Sequence, residues 1–218
     1  MGAGGFPVDL ILFGMIAAFL VLRLRSILGR RDGFEPNAAR PVLRPAGGPI
    51  IEGHAEPATG PARPVPDANT PLGQTLAAMR RVDGSFDAQH FLQGAEAAFR
   101  LIVTEFAAGH RDALRPLLTA ETFAVFEGAI NSREQAGETQ TSEIKAVHEV
   151  QIEDARLTGT IAEITVRFVS DQINQTLDRA GKYVAGADAV TELRDVWSFT
   201  RDLARSDPAW RLAQARSA

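Results

Sequence analysis

The sequence predicts an α+β fold, helices packed on a curved antiparallel sheet, preceded by a transmembrane helix and a disordered linker. Three features predict it. An apolar run near the N-terminus is followed by arginines, nine of the twelve prolines fall between Pro36 and Pro71, and the apolar period changes from about 3.6 to 2 near Glu143.

The apolar and proline-rich stretches are sorted so unevenly over the 218 residues that one globular domain is expected, with anchor and linker as the remainder. Net charge is −4; residues 1–85 carry 9 basic and 7 acidic side chains, and residues 86–218 carry 14 and 20. A mildly acidic globular part lacks the basic footprint of a nucleic-acid binder, so no nucleic-acid partner is expected. The absence of cysteine excludes a disulfide framework, a thiolate zinc site and a cysteine nucleophile.

Residues 1–32 form the expected anchor. Every residue from Leu10 to Leu22 is apolar or glycine, and Phe6 to Leu24 would make a helix about 28 Å long, enough to span a hydrocarbon core. No basic side chain precedes the run, which disfavours a cleaved secretory signal. Arg23, Arg25, Arg30 and Arg31 follow it, and under the positive-inside rule they hold the C-terminal side in the cytoplasm. The expected location is a single pass through the cell inner membrane, with membrane lipid as the first partner.

Residues 33–71, rich in proline, glycine and alanine, cannot bury enough apolar surface to offset their ordering entropy. As a flexible coil this leash spans roughly 35 Å. The globular domain follows over residues 72–218.

Thr70 and Pro71 form a helix start, an N-cap oxygen before a proline at the first helical position. Leu72, Leu76 and Met79 make an apolar stripe beside Arg80 and Arg81; this short helix packs on the domain or lies on an anionic membrane surface. Asp87 caps a longer helix, with Phe86 and Phe91 spaced as a hydrophobic staple. Phe91, Ala95, Phe99, Ile102 and Phe106 form its stripe, and Gly109 ends it. A short helical turn around Asp112–Leu114 precedes a helix capped by Thr119, carrying Phe123, Val125, Phe126 and Ile130 and closed by Gly137.

From Glu143 onward strict alternation predicts strands. Ile144, Ala146, His148, Val150 and Ile152 are expected on one face; after a turn at Thr158–Gly159, Ala162, Ile164, Val166 and Phe168 share the facing set. A loop over residues 181–189 leads to a strand with Leu193, Asp195, Trp197 and Phe199 inward, and Asp207–Pro208 turns into a last strand beginning at Trp210 and Leu212. Helices followed by a run of strands give an α+β domain.

Three stretches carry a family resemblance: Phe86–Asp87 with Phe91–Leu92, Gly94–Ala95 and Ala98–Phe99; Leu114 to Glu121; and, most specific, Asp195-Val196-Trp197-Ser198-Phe199-Thr200-Arg201 with Asp207-Pro208-Ala209-Trp210-Arg211-Leu212. Over roughly residues 72–218 the chain resembles the Tim-forty-four-like domain family, named for a subunit of the mitochondrial inner-membrane import translocase, and its bacterial membrane-anchored relatives. The resemblance implies a cone-shaped domain of the nuclear-transport-factor-two type with a large apolar pocket. It also implies a membrane-surface scaffold that recruits a chaperone, or translocation or assembly machinery. A membrane helix and leash stand where the mitochondrial protein docks its chaperone, so that role transfers least. A ribosome-tethering branch leaves ribosome docking open.

The residues expected around an apolar pocket are Phe91, Ala95, Phe99, Ile102, Phe123, Phe126, His148, Phe168, Trp197 and Phe199; their rings either fill the concave space or line a cavity. Asp195, beside Trp197 on an inward face, needs a partner, and Arg167 or Arg201 is expected to supply it. His54, His90, His110 and His148 are too scattered for a metal site, and neither a phosphate-binding loop nor a nucleophile elbow is present. No cofactor and no catalytic residue is expected. The functional expectation is a non-catalytic adaptor; the alternatives are a carrier or sensor of lipid or small hydrophobic ligands, a tether for ribosomes, and a cone-fold enzyme.

Overall fold

The computed structural model describes residues 63–217. The apolar run with Arg23, Arg25, Arg30 and Arg31, and the leash up to residue 62, lie outside the described residues. Among the described residues no helix is long and apolar enough to cross a membrane.

The helices begin and end at the caps the sequence supplies. Helix α1 is Pro71–Val82, and the Thr70 hydroxyl accepts a hydrogen bond from the Gly73 amide at 3.0 Å. Helix α2, Ala88–Ala108, starts with the Asp87 carboxylate accepting from His90 N at 2.7 Å. Helix α3, Arg111–Leu114, runs into a 3-10 turn, and Thr119 caps α4, Ala120–Ala136. Gly109 and Gly137 close α2 and α4 with φ of 77° and 71°, a left-handed conformation that glycine enters without a side-chain penalty. Leu76 and Met79 of α1 are buried, so this helix packs on the domain while Arg80 and Arg81 face solvent.

Five antiparallel strands make one sheet: β1 Thr139–Thr158, β2 Ile161–Leu177, β3 Tyr183–Gly186, β4 Thr191–Asp202 and β5 Arg211–Ser217. Their order is β1-β2-β4-β5, with β3 paired to the far end of β2. The β5 edge is covered: Leu118 bridges Leu212, Thr119 N donates to Leu212 O at 2.9 Å, and the Thr122 hydroxyl donates to Ala213 O at 2.8 Å. The inner sheet face packs on α1, α2 and α4 around one aromatic core.

Three features differ from the sequence expectation. Strand β1 begins at Thr139, four residues before the apolar alternation starts, because its first turn of strand is polar on both faces. The glycine-alanine loop contains β3. Third, β1 does not alternate strictly. Its pairing with β2 slips between Ile144 and Ala146, between Val147 and Glu149, and between Ile152 and Asp154. Each slip inserts one residue and reverses which side chains face inward. The buried set is therefore Val147, Val150, Ile152 and Ala155, with Ile144 partly buried.

The end of the expected leash also has tertiary contacts. Arg63 bonds the Glu96 carboxylate through Nη2 and, at 3.0 Å, through Nε, and Arg100 Nε reaches the other Glu96 oxygen at 3.0 Å. Glu96 is nearly buried on α2 between these two cations.

Candidate functional site

Four strands and three helices converge on the concave face of the sheet. Along β2 its inward residues Ala162, Ile164, Val166 and Phe168 are fully buried, as period-2 alternation requires. Phe99 of α2 stacks on Phe168 with ring centroids 4.4 Å apart and planes 7° from parallel. Trp197 meets Phe99 edge-on at 4.8 Å, and Phe91 meets Phe199 edge-on at 6.1 Å. Phe86 and Phe91 are joined through Trp210, at 6.0 and 4.8 Å, so a residue just before β5 completes the expected staple. Edge-on and offset ring pairs each contribute about 0.5–1.5 kcal/mol beyond their buried area.

Of the residues expected around a pocket, Phe91, Ala95, Phe99, Ile102, Phe123, Phe168, Trp197 and Phe199 come together in the core. Phe126 packs half-buried at the edge of this cluster, 4.8 Å from Phe106. Phe99 and Phe168 keep no solvent-accessible surface, so their rings fill the concave space where they meet. His148 is elsewhere. It is one of the inserted residues of β1, its side chain is 50 % exposed, and Nε2 lies 2.9 Å from Asp171 Oδ2.

Beyond Phe168 the same face turns polar. Ser170 and Gln172 are buried, Gln172 Nε2 donates to Ser170 Oγ at 2.9 Å, and Asn174 Nδ2 donates to Gln172 Oε1 at 3.1 Å. Asp195 of β4 is paired in register with Phe168 on one side and with Ser217 of β5 on the other. Burial pushes its carboxyl up to about 6, and no neighbouring cation acts against the shift.

The expected arginine partners of Asp195 are engaged elsewhere. Arg167 projects from the opposite face of β2, where it binds Glu149 at 2.7 Å, Glu153 at 2.9 Å and Gln151 at 2.5 Å. Arg201 shares the inner face with Asp195 but stands six residues, roughly 20 Å, further along β4. It pairs with Asp83 at 2.8 Å. A structural pair at Asp195 is thus replaced by a half-buried carboxyl beside a ladder of neutral polar groups.

Residues 72–217 match the model of the Tim44-like domain. The chain belongs to the Tim44-like domain family. The matched span opens in the first turn of α1 and closes at the end of β5, so the Tim44-like domain takes in every helix and strand described above. Among solved structures, the intermembrane space region of chloroplast protein ARC6 is similar at 11 % identity and a TM-score of 0.42, over 57 % of this chain and 94 % of that one. Comparison with curated proteins gives no match.

Sequence patterning missed the Ser170–Gln172–Asn174 ladder of this Tim44-like domain. Its signal was present, since alternation on β2 continues past Phe168 with polar side chains in the inward positions. Another concavity, a shallow, open depression of about 510 Å³, lies at the C-terminal end of α2, lined by Glu105, Gly109, His110, Arg111, Asp112 and Ala113. Its ionic groups are largely satisfied: His110 Nδ1 lies 2.6 Å from Glu105, and Arg111 binds Glu134 at 2.7 Å. Among the described residues no three His, Asp or Glu side chains are grouped to hold a metal ion.

Proposed function

We propose that this protein is a membrane-anchored, non-catalytic adaptor. The apolar N-terminal run holds it at the inner membrane, and the Tim44-like domain recruits protein partners, translocation, insertion or assembly factors, at the cytoplasmic surface. Membership of the Tim44-like family carries this proposal. The packed aromatic core supports it, because recognition is then left to the domain surface and to the polar end of the concave face. Tethering would raise the local concentration of whatever the domain recruits.

The test is photo-cross-linking of the full-length chain in intact membranes, with probes placed at Leu101, Ile161 and Tyr183, three exposed apolar or aromatic positions. Specific protein adducts from membranes would support recruitment. Adducts indistinguishable from those of a buried control position would end it. The carrier alternative is tested separately by native mass spectrometry, where a stoichiometric apolar ligand would favour it over the adaptor.

A further inference from the structure

We propose that Asp195 and the polar residues beside it form the subsite in which a protein partner seats a lysine ammonium. The proposal rests on the adaptor function above and adds the chemistry of the contact.

A carboxylate withdrawn from water is retained at a free-energy cost unless something compensates it. Both arginines with a claim on Asp195 are committed, Arg167 on the other face of the sheet and Arg201 at its far end. The inward residues of β2 from Ala162 to Asn174 are all uncharged. The inward neighbours on β4 are Leu193 and Trp197, and Ser217 lies opposite on β5. Arg133 of α4 is occupied by the Phe106 and Ala107 carbonyls at 2.8 and 3.0 Å and by Gln140. Among the described residues, then, no cation compensates Asp195.

The surroundings suit an incoming ammonium. Ser217, opposite Asp195 on β5, is short and exposed. Leu193 is half-buried and offers apolar surface to an aliphatic stem. A lysine brings a compact charge on a slender four-carbon stem, whereas an arginine brings a wider planar guanidinium. Residues 86–218 carry an excess of six acidic side chains, so a basic partner would also be drawn to this domain at long range.

Zero-length carbodiimide coupling of the full-length chain in intact membranes tests the contact directly, since it joins a carboxyl only to an amine that touches it. The chain has two lysines of its own, Lys145 and Lys182, so an amide from Asp195 to a lysine in any other peptide identifies a foreign partner by mass. The expected result is such an amide, lost in D195N and kept in D195E, with both variants folded by tryptophan fluorescence. The proposal is overturned if exposed carboxylates such as Glu143 and Glu192 couple to foreign lysines while Asp195 does not. It is equally overturned if Asp195 couples only to Lys145 or Lys182. Coupling of no carboxyl to any protein, together with empty photo-cross-linking, would remove the adaptor function itself.

Discussion

Arg201 of β4 and Asp83, in the turn between α1 and α2, meet at 2.8 Å with only 11 % and 14 % of their side chains exposed. The pair fastens the short amphipathic helix to the sheet, at the end of β4 remote from Asp195. Ser85 N and Oγ also donate to Asp83 Oδ1, at 2.9 and 2.6 Å. These bonds, together with Arg201, hold the Asp83 carboxyl below its usual range.

R201A should therefore loosen α1. Removing one partner of an ion pair between shielded groups costs roughly 1–3 kcal/mol. Urea unfolding should show that loss, and a double-mutant cycle with D83A should recover a coupling between the two sites. Additive single-mutant effects would show that the pair contributes nothing.

The two aspartates should respond to acid with opposite signs. Asp83 has a depressed folded pKa, so its contribution is complete above about 3.8 and fades as pH falls below that. Asp195 has a raised one. Above about 6 it is ionised in both the folded and unfolded states, and the folded state bears the burial penalty. Between about 6 and 3.8 the folded state takes the proton first and the penalty is relieved. A shift of that size corresponds to about 3 kcal/mol. D195N should stabilise the protein at pH 7.5–8, taking pH as the experimental variable, and should flatten the rise in Tm on acidification to about pH 5. An unchanged Tm profile would show that Asp195 is solvated.

Phe99 touches both Phe168 and Trp197, so F99A removes the centre of the aromatic core. Phenylalanine-to-alanine changes at such sites cost about 3–5 kcal/mol. Near-UV circular dichroism and Trp197 emission should change together with the loss. A variant that keeps wild-type stability would mean that the rings surround a space able to collapse.

His148 offers the contrasting case. Its ring is half exposed against Asp171, and an exposed ion pair contributes about 0–1 kcal/mol. H148A should change stability little at neutral pH, whereas V147D, one residue earlier, should fail to fold. A large loss from H148A in chemical denaturation would contradict the bulged register of β1.

Arg63 tests where the leash ends. If its bond to Glu96 holds the segment before α1 on the domain, R63A should speed limited proteolysis around residues 64–69 while Arg100 still neutralises Glu96. Equal cleavage rates in both proteins would place the end of the leash at Pro71.

Several elements were legible because their signals are local. Thr70, Asp87, Thr119, Gly109 and Gly137 act on backbone groups within one turn of themselves, so caps read from the sequence coincide with those in the structure. The inward set of β2 was legible for the same reason: strict alternation is a property of neighbouring residues. The inward set of β1 was not, since three inserted residues leave no mark in composition and only pairing with β2 reveals them. His148 was misplaced on that account.

The sequence by itself determined the α+β class, the helix limits, the aromatic residues of the core and the family to which the domain belongs. Only the tertiary structure decided that the rings of Phe99, Phe168 and Trp197 fill the concave space, and that Asp195 stands without an arginine. Caps and periodicity act over a few residues. A register slip and the pairing of Arg201 with Asp83 depend on which distant segments lie side by side. Such pairings are settled only once the chain has packed.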